Sequence, residues 1–456
     1  MSYPYQDEID TGETVPNMSG SDEKLSKSTE NFHIHSELPA STQFESSKAR
    51  YEVTVTNPEK KGEGMNTFTS YKVNTKSESD QIGGAPLTSS VVRRFSDWLW
   101  LRNQLSAKLK GVLIPPLPEK SLLGMGRFEN EFIGERRRAL EVFLNRISAH
   151  PQLCDCEDVR MFLHGEESSF ASAKRAKADS VDLSTSGPGT EVVSPNAAGG
   201  ALASATGLFN YFRKSVTAIG NPFGAQGASK DVEVTEDDQS CDKINDYMNN
   251  LGTSLASTYT NVENLVRRTG GLGKTYFDFG LSCTLLGQLE SKSKEESLGR
   301  AFIKLGNSSD RLSVLLNQKM ELENVGFREV VKDYTRMVDA VKQMMKTRAT
   351  AQAAHQSAVS TLQSRRIKLQ ALKGVPGKED KVASLERSIA EAQAHVDRCW
   401  SELEKITKSC FSEFARFRAD KQRDMKTMLV DFVKLQIEHS RQVQAAWESI
   451  LSDVSA

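Results

Sequence analysis

After Pro222 the chain contains a single proline, Pro376, although it runs on to Ala456. Over that whole stretch the ring that removes a backbone donor and breaks helices is almost missing, so little in the chain chemistry forces a helix to stop. Cysteine is also sparse. Cys154, Cys156, Cys241, Cys283, Cys399 and Cys410 form no CxxC pair and no disulfide-type framework, and reduced thiols are expected. There is no run of 18 apolar residues and no charged-then-apolar leader at Met1, so the chain is expected neither to span a membrane nor to enter the secretory pathway. Any membrane role is then peripheral. Catalytic signatures are missing as well: no HExxH, GxSxG, kinase-type or paired-carboxylate constellation occurs, so no enzyme activity and no cofactor are expected. Gly270-Gly271-Leu272-Gly273-Lys274-Thr275 ends like a phosphate-binding loop. Arg268 stands where its first glycine belongs and a helical pattern precedes it, so it reads as a looser turn in a helix. His33 and His35 are a solvated pair without further ligands nearby, and no metal site is expected.

What is present is a long helical stretch, residues 231–456. Ile244, Met248, Leu251, Leu255, Tyr259, Val262 and Val266 recur at helical spacing. So do Ile406, Cys410, Phe414, Phe417, Met425, Met428, Phe432 and Leu435. Two turn signals divide the stretch into three antiparallel helices: Ser291 to Glu296, where Ser293 and Glu296 have capping-box spacing, and Lys373-Gly374-Val375-Pro376-Gly377. Helices of this length are far too thin for a compact enzyme domain, and three of one chain cannot bury so long an apolar stripe. A symmetric dimer is expected. Charge is segregated along the stretch. Asp231 to Val341 has 13 Lys/Arg against 18 Asp/Glu, whereas Lys342 to Lys426 has 18 against 10. The excess includes Lys342, Lys346, Arg348, Arg365, Arg366, Lys368, Lys373, Lys378 and Lys381, then Arg416, Arg418, Lys421, Arg423 and Lys426. Basic side chains near an anionic leaflet contribute on the order of 1 kcal/mol each, so a membrane-facing basic surface at Arg365, Arg366, Lys368, Lys373, Lys378 and Lys381 is expected.

The N-terminal part differs in character. Residues 1–48 form an acidic, Ser- and Thr-rich tail with the composition of disorder. Tyr51 to Thr56, Thr67 to Val73 and Thr88 to Phe95 read as three meandering strands, separated by Asn57-Pro58 and a glycine-containing loop. Ser96-Asp97 looks like the N-cap of a helix carrying Trp98, Leu101, Leu105 and Leu109. Ile114 to Lys120 is dense enough in proline to read as polyproline II, and a helix follows from Asn130 to Ala149. Three strands followed by helices make a small α+β domain over residues 49–165. Arg93-Arg94, Lys120 and Arg136 are three basic elements able to grip an anion, arginine by its two-pronged fork and lysine as a point charge, and Phe95 offers a flat ring.

Arg93-Arg94-Phe95-Ser96-Asp97-Trp98, Pro115-Pro116-Leu117-Pro118-Glu119-Lys120, Phe132-Ile133-Gly134-Glu135-Arg136-Arg137 and Phe143-Leu144-Asn145-Arg146-Ile147-Ser148-Ala149-His150-Pro151 together resemble a phox-homology (PX) domain. Followed by three long helices, the chain resembles a sorting nexin of the PX-BAR type, most like the retromer-associated ones: an α+β PX domain, with a three-stranded antiparallel sheet plus helices, then an all-α BAR domain that is a long three-helix antiparallel coiled coil. The resemblance implies that Arg94 binds the 3-phosphate of a phosphoinositide, Phe95 stacks on the inositol ring, Lys120 meets the 1-phosphate and Arg136 hydrogen-bonds the 4- and 5-hydroxyls. It leaves open phosphatidylinositol 3-phosphate or the 3,5-bisphosphate, which extra basic residues at Arg137 or Arg138 could favour.

Residues 166–204 read as a flexible linker. In residues 205–220, Leu208, Phe209, Phe212, Val216 and Ile219 share one face of a short helix, with Arg213 and Lys214 opposite. That face either enters a membrane or docks on the neighbouring bundle. The expected whole is a peripheral protein on the cytosolic face of endosomal membranes, detecting 3-phosphorylated phosphoinositide and curvature together. By resemblance it works as a homodimer or a heterodimer with a related sorting nexin, in retrograde sorting with retromer core subunits; nucleic acid is no partner. The alternative is a structural coiled-coil adaptor in which Pro115 to Pro118 is an SH3-type ligand and lipid has no part.

Overall fold

The computed structural model describes residues 50–62, 67–82, 85–119, 130–184, 235–292, 296–373, 375 and 377–455. Strands β1 (Tyr51–Lys61), β2 (Phe68–Ile82) and β3 (Ala85–Arg94) form an antiparallel meander in the order β1-β2-β3. Tyr51, Val53 and Val55 alternate inward with Tyr71 and Val73, as the two-residue period of a strand requires. The register shifts where Asn57, at φ 47, precedes Pro58. Helix α1 (Phe95–Lys108) begins directly at the end of β3, and α2 (Asn130–Ala149) crosses the sheet. Trp98, Leu101, Leu105, Leu140, Phe143 and Ile147 fill the space between, all essentially inaccessible to solvent. Each such side chain contributes roughly 1.5–3 kcal/mol by leaving water. The free edge of β1 is not exposed to chance pairing, because α2 reads its backbone. Asn145 accepts from the Val53 N–H at 3.1 Å and donates back to the Val53 carbonyl at 2.8 Å, and Glu141 accepts from the Val55 N–H at 2.8 Å.

Two short helices follow, α3 (Glu157–His164) and α4 (Glu167–Ser184). The second corrects the expectation of a linker beginning at residue 166. Neither glycine nor proline interrupts Glu167 to Ser184, and Phe170 is buried against Trp100 and Phe162, so the segment has both the propensity and the anchor a helix needs. The proline run lies against the same core: Pro115 is buried and Pro116 to Pro118 half-buried. An SH3 groove takes both outer prolines of a PxxP segment, and Pro115, the first of Pro115 to Pro118, is buried, so this packing argues against the adaptor alternative.

The rod consists of α5 (Glu236–Glu290), α6 (Glu296–Glu323) running through a π-turn at Asn324–Arg328 into α7 (Glu329–Leu372), and α8 (Glu379–Ser455). The three long helices expected from the scarcity of proline are therefore present. At 1.5 Å per residue, the 77 residues of α8 extend about 115 Å. The N-cap of α5 is Thr235, whose hydroxyl accepts from the Asp238 N–H at 3.2 Å. Gly270 to Thr275 lies inside an unbroken α5, so it is neither a phosphate loop nor the looser turn expected of it. The glycines that follow set a distance between helices. A Cβ at Gly280 would stand 2.9 Å from the Gly306 carbonyl, and one at Gly287 would stand 2.7 Å from that of Gly299. Only glycine lets α5 and α6 approach so closely. Expectations for residues 1–48, His33 and His35, Lys120, Ser293 and the helix at 205–220 with Leu208, Phe209, Phe212, Val216 and Ile219 all lie outside the described residues.

Candidate functional site

The site lies where β3 gives way to α1. The strand's alternation splits the arginine pair: Arg93 points inward and is 2 % exposed, while Arg94 points outward with 54 % of its side chain accessible. Arg93 donates through Nε to the Phe162 carbonyl at 3.0 Å and through Nη2 to the Gly165 carbonyl, with its guanidinium 4.2 Å from the centre of the Phe170 ring. Burial pulls its pKa below the ordinary arginine value, which nearby Asp97 and Glu167 oppose. It is a structural cation, not part of a docking site. This corrects the treatment of Arg93-Arg94 as one anion-gripping unit.

Arg94 caps the next helix through its backbone. Its N–H donates to Asp97 Oδ2 at 2.9 Å, so Asp97 serves as the third helical residue of a cap and not as the N-cap expected at Ser96-Asp97. The Arg94 guanidinium reaches the face of Phe68, 5.6 Å from its centre. Arg136 comes to the same place from the second turn of α2. It is 8 % exposed, lies 4.6 Å from the centre of Phe95 and 4.3 Å from that of Phe132, and donates to the Glu119 carbonyl at 2.8 Å. Burial raises the phenol pKa of Tyr71 beneath it, and the Arg136 charge works against that rise. Arg136 thus lies over the ring of Phe95, the residue that follows Arg94 at the strand-helix junction, and the loop that leads to Lys120 is tied to Arg136 through Glu119.

The neighbouring arginines do not extend this cluster. Arg137 donates to the Val55 carbonyl at 2.7 Å and Arg138 pairs with Glu329 at 2.5 Å, so neither is spare for a second phosphate. Sequence reasoning also missed Lys174 of α4, which reaches back to Asp97 Oδ1 at 2.8 Å. Its only sequence signal is its place one turn after Phe170.

Ion pairs bind this domain to the rod at the π-turn. Glu135 receives Arg328 at 2.8 Å and Lys332 at 2.6 Å, and Arg146 pairs with Asp333 at 2.5 Å. His150 meets Glu413 at 3.0 Å in a buried contact. Burial alone would raise the Glu135 pKa, but Lys332 and Arg328 bring it below the ordinary carboxylate value. On the rod itself, Lys368, Lys373, Lys378 and Lys381 are exposed around the α7–α8 hairpin. Arg365 is half-buried and donates to the Ser388 carbonyl at 2.7 Å, and exposed Arg366 donates to Gln393 at 2.8 Å. Arg348 leaves the basic set altogether: it is buried and paired with Asp238 at 2.5 Å.

A three-stranded meander with an arginine and an aromatic ring at its exit, docked on a rod of three long helices, defines the class as a PX module joined to a BAR-type bundle. Residues 84–166 match the family model described as PX domain, and residues 219–453 match the one described as Vps5 C terminal like. The chain is 32 % identical over 404 residues to Sorting nexin 1 of Arabidopsis thaliana, covering 89 % of this chain and 92 % of that protein. It is 27 % identical over 415 residues to human Sorting nexin-2, covering 89 % of this chain and 72 % of the relative. The cryo-EM structure of the SNX-BAR Mvp1 tetramer shares the fold at 15 % identity, with a TM-score of 0.63 over 88 % of this chain and all of that one. The chain belongs to the PX-BAR sorting nexins, a family of non-enzymatic, peripheral membrane-trafficking adaptors. No described helix is long and apolar enough to cross a membrane.

Proposed function

We propose that this chain binds 3-phosphorylated phosphoinositide through Arg94, Phe95, Lys120 and Arg136, and that it acts as a dimer on curved endosomal membrane. The observation that carries the headgroup half is that Arg136 lies over Phe95, the ring that directly follows the exposed Arg94 at the strand-helix junction. Arginine forks suit phosphate and hydroxyl oxygens, and the Phe95 ring supplies a flat partner for the sugar. With Arg137 and Arg138 committed elsewhere, a headgroup with a single phosphate beside its glycerol link fits better than the 3,5-bisphosphate. Affinity for the single pocket is modest, and a dimer that engages two headgroups and a basic surface at once multiplies it by effective concentration.

The dimer half is supported by exposed apolar side chains that run from the α5–α6 end of the rod to the level of the π-turn. Phe277, Leu281, Leu285 and Leu289 of α5, Leu322 of α6, and Val433 of α8 all stand exposed. An apolar pocket of about 380 Å³, lined by Leu298, Phe302, Leu305, Trp447 and Ile450 among others, opens at the same end. So much apolar surface in one region fits a second copy or a related sorting nexin. In this reading the protein serves endosomal sorting together with retromer core subunits. Sedimentation with phosphatidylcholine vesicles tests the headgroup assignment. Adding phosphatidylinositol 3-phosphate should increase the bound fraction strongly for the wild type and hardly at all for Arg94→Ala; equal binding by both chains would refute it.

A further inference from the structure

Arg94 is held beside a charge that works against binding an anion. Asp97 is 8 % exposed, and its position is fixed because Oδ2 accepts the Arg94 backbone N–H at 2.9 Å. Its other oxygen, Oδ1, faces two cations, Arg94 Nε at 3.8 Å and Lys174 Nζ at 2.8 Å. A carboxylate there has two effects on a phosphate arriving at Arg94. It competes for the guanidinium, and it repels the phosphate directly. Both effects are stronger in a partly buried site than in open water, where charges are better screened.

Lys174 is the nearer of the two cations that Oδ1 faces. Arg93, the other positive charge close by, has its guanidinium occupied by the carbonyls of Phe162 and Gly165. Lys174 is also well placed by construction. Phe170 is buried against Trp100 and Phe162 and fixes the rotation of α4, and Lys174 follows one turn later on the same face. Only a quarter of the Lys174 side chain is accessible, with the figure 25 %, so it is directed at Asp97 and not at the ligand.

We propose that Lys174 is a positioning residue of the headgroup site, a helix-borne counter-charge that neutralises Asp97 and so leaves Arg94 available to the phosphate. The proposal rests on the headgroup reading given above. Lys174 does not touch the lipid. Its effect runs through Asp97 alone, and this makes it separable from a general electrostatic contribution. Coupling of the size usual between contacting charged residues corresponds to a change in affinity of roughly three- to tenfold.

The test uses the full chain, titrated with soluble inositol 1,3-bisphosphate in a calorimeter and, in a second arm, with phosphatidylcholine vesicles carrying phosphatidylinositol 3-phosphate. The first arm reports the headgroup alone and the second adds the membrane surface. K174M is expected to bind roughly three- to tenfold more weakly in both arms, K174R to bind like the wild type, and the double variant D97N/K174M to bind like D97N alone. Asn at position 97 keeps the oxygen that accepts the Arg94 N–H. If K174M binds as tightly as the wild type while R94A has lost binding, the proposal is wrong and the headgroup site stands. An equal loss on adding K174M to D97N also overturns it, since Lys174 would then act without Asp97. If R94A itself binds normally, the headgroup reading fails and takes the proposal with it. Should K174M lower the melting temperature, K174Q provides the same loss of charge with a hydrogen-bond donor retained.

Discussion

Arg93 and Arg94 are neighbours in the chain and opposites in environment, and the difference predicts opposite phenotypes. Removing Arg93 leaves the buried Phe162 carbonyl and the half-buried Gly165 carbonyl without their charged donor, so Arg93→Met should cost about 2–4 kcal/mol and lower the melting temperature of the α+β domain. Arg94→Ala removes an exposed side chain, and its melting temperature should stay near that of the wild type while lipid binding is lost. Thermal unfolding of both variants checks the pair. Arg94, Phe95 and Arg136 stand in contiguous sequence motifs, and the fold sets Arg136 over the Phe95 ring. The inward turn of Arg93 was legible from the two-residue alternation with Val91, but reading the pair as one basic unit hid it. Lys174 was not legible. Its role depends on where the end of α3 and the first turns of α4 bring a chain with linker-like composition, and one phenylalanine is all that marks it.

At the scale of elements, the α5–α6 seam and the α2–rod contact make separate predictions. Gly306→Val would set a Cβ 2.8 Å from the Gly280 carbonyl, and backbone on both sides cannot give way without moving a helix. A loss of about 1–3 kcal/mol is expected, read as an earlier denaturation midpoint. The contact at Glu135 predicts a pH effect. Its folded pKa lies below the unfolded value of 4.5, so its contribution is complete above 4.5 and disappears as pH falls below it through the lowered folded value. Glu135→Gln should therefore be less stable than the wild type by about 1–2 kcal/mol at neutral pH, with the gap closing in acid; melting curves across that range test it. The helices themselves were plain from periodicity and the missing proline. Their contact with the α+β domain was not, since the partners of Glu135 lie nearly two hundred residues further along and no local pattern links them.

At the scale of the whole molecule, exposed Leu281, Leu285 and Leu289 lie towards the α5–α6 turn, and exposed lysines gather around the α7–α8 hairpin, where Ile367 and Val375 are exposed as well. Leu281→Asp should give a monomer by light scattering. Arg366→Glu with Lys368→Glu and Lys373→Glu should leave the dimer intact and abolish tubulation of anionic vesicles, and tubules of ordinary appearance would show that the hairpin is not a membrane contact. Segregation of charge along the chain was visible as counts, but counts include Arg348, which folding removes from the surface by pairing it with Asp238. The π-turn at Asn324–Arg328 lies between those two surfaces within one continuous helix. An i→i+5 turn holds one residue more than an α turn, and a single residue turns everything beyond it by about 100°. That one extra residue works as an angular setting on a shaft: it fixes which compass direction the lysines at the far tip face relative to the α5–α6 end, so deleting it would swing the tip sideways while the rest of the sequence stayed the same.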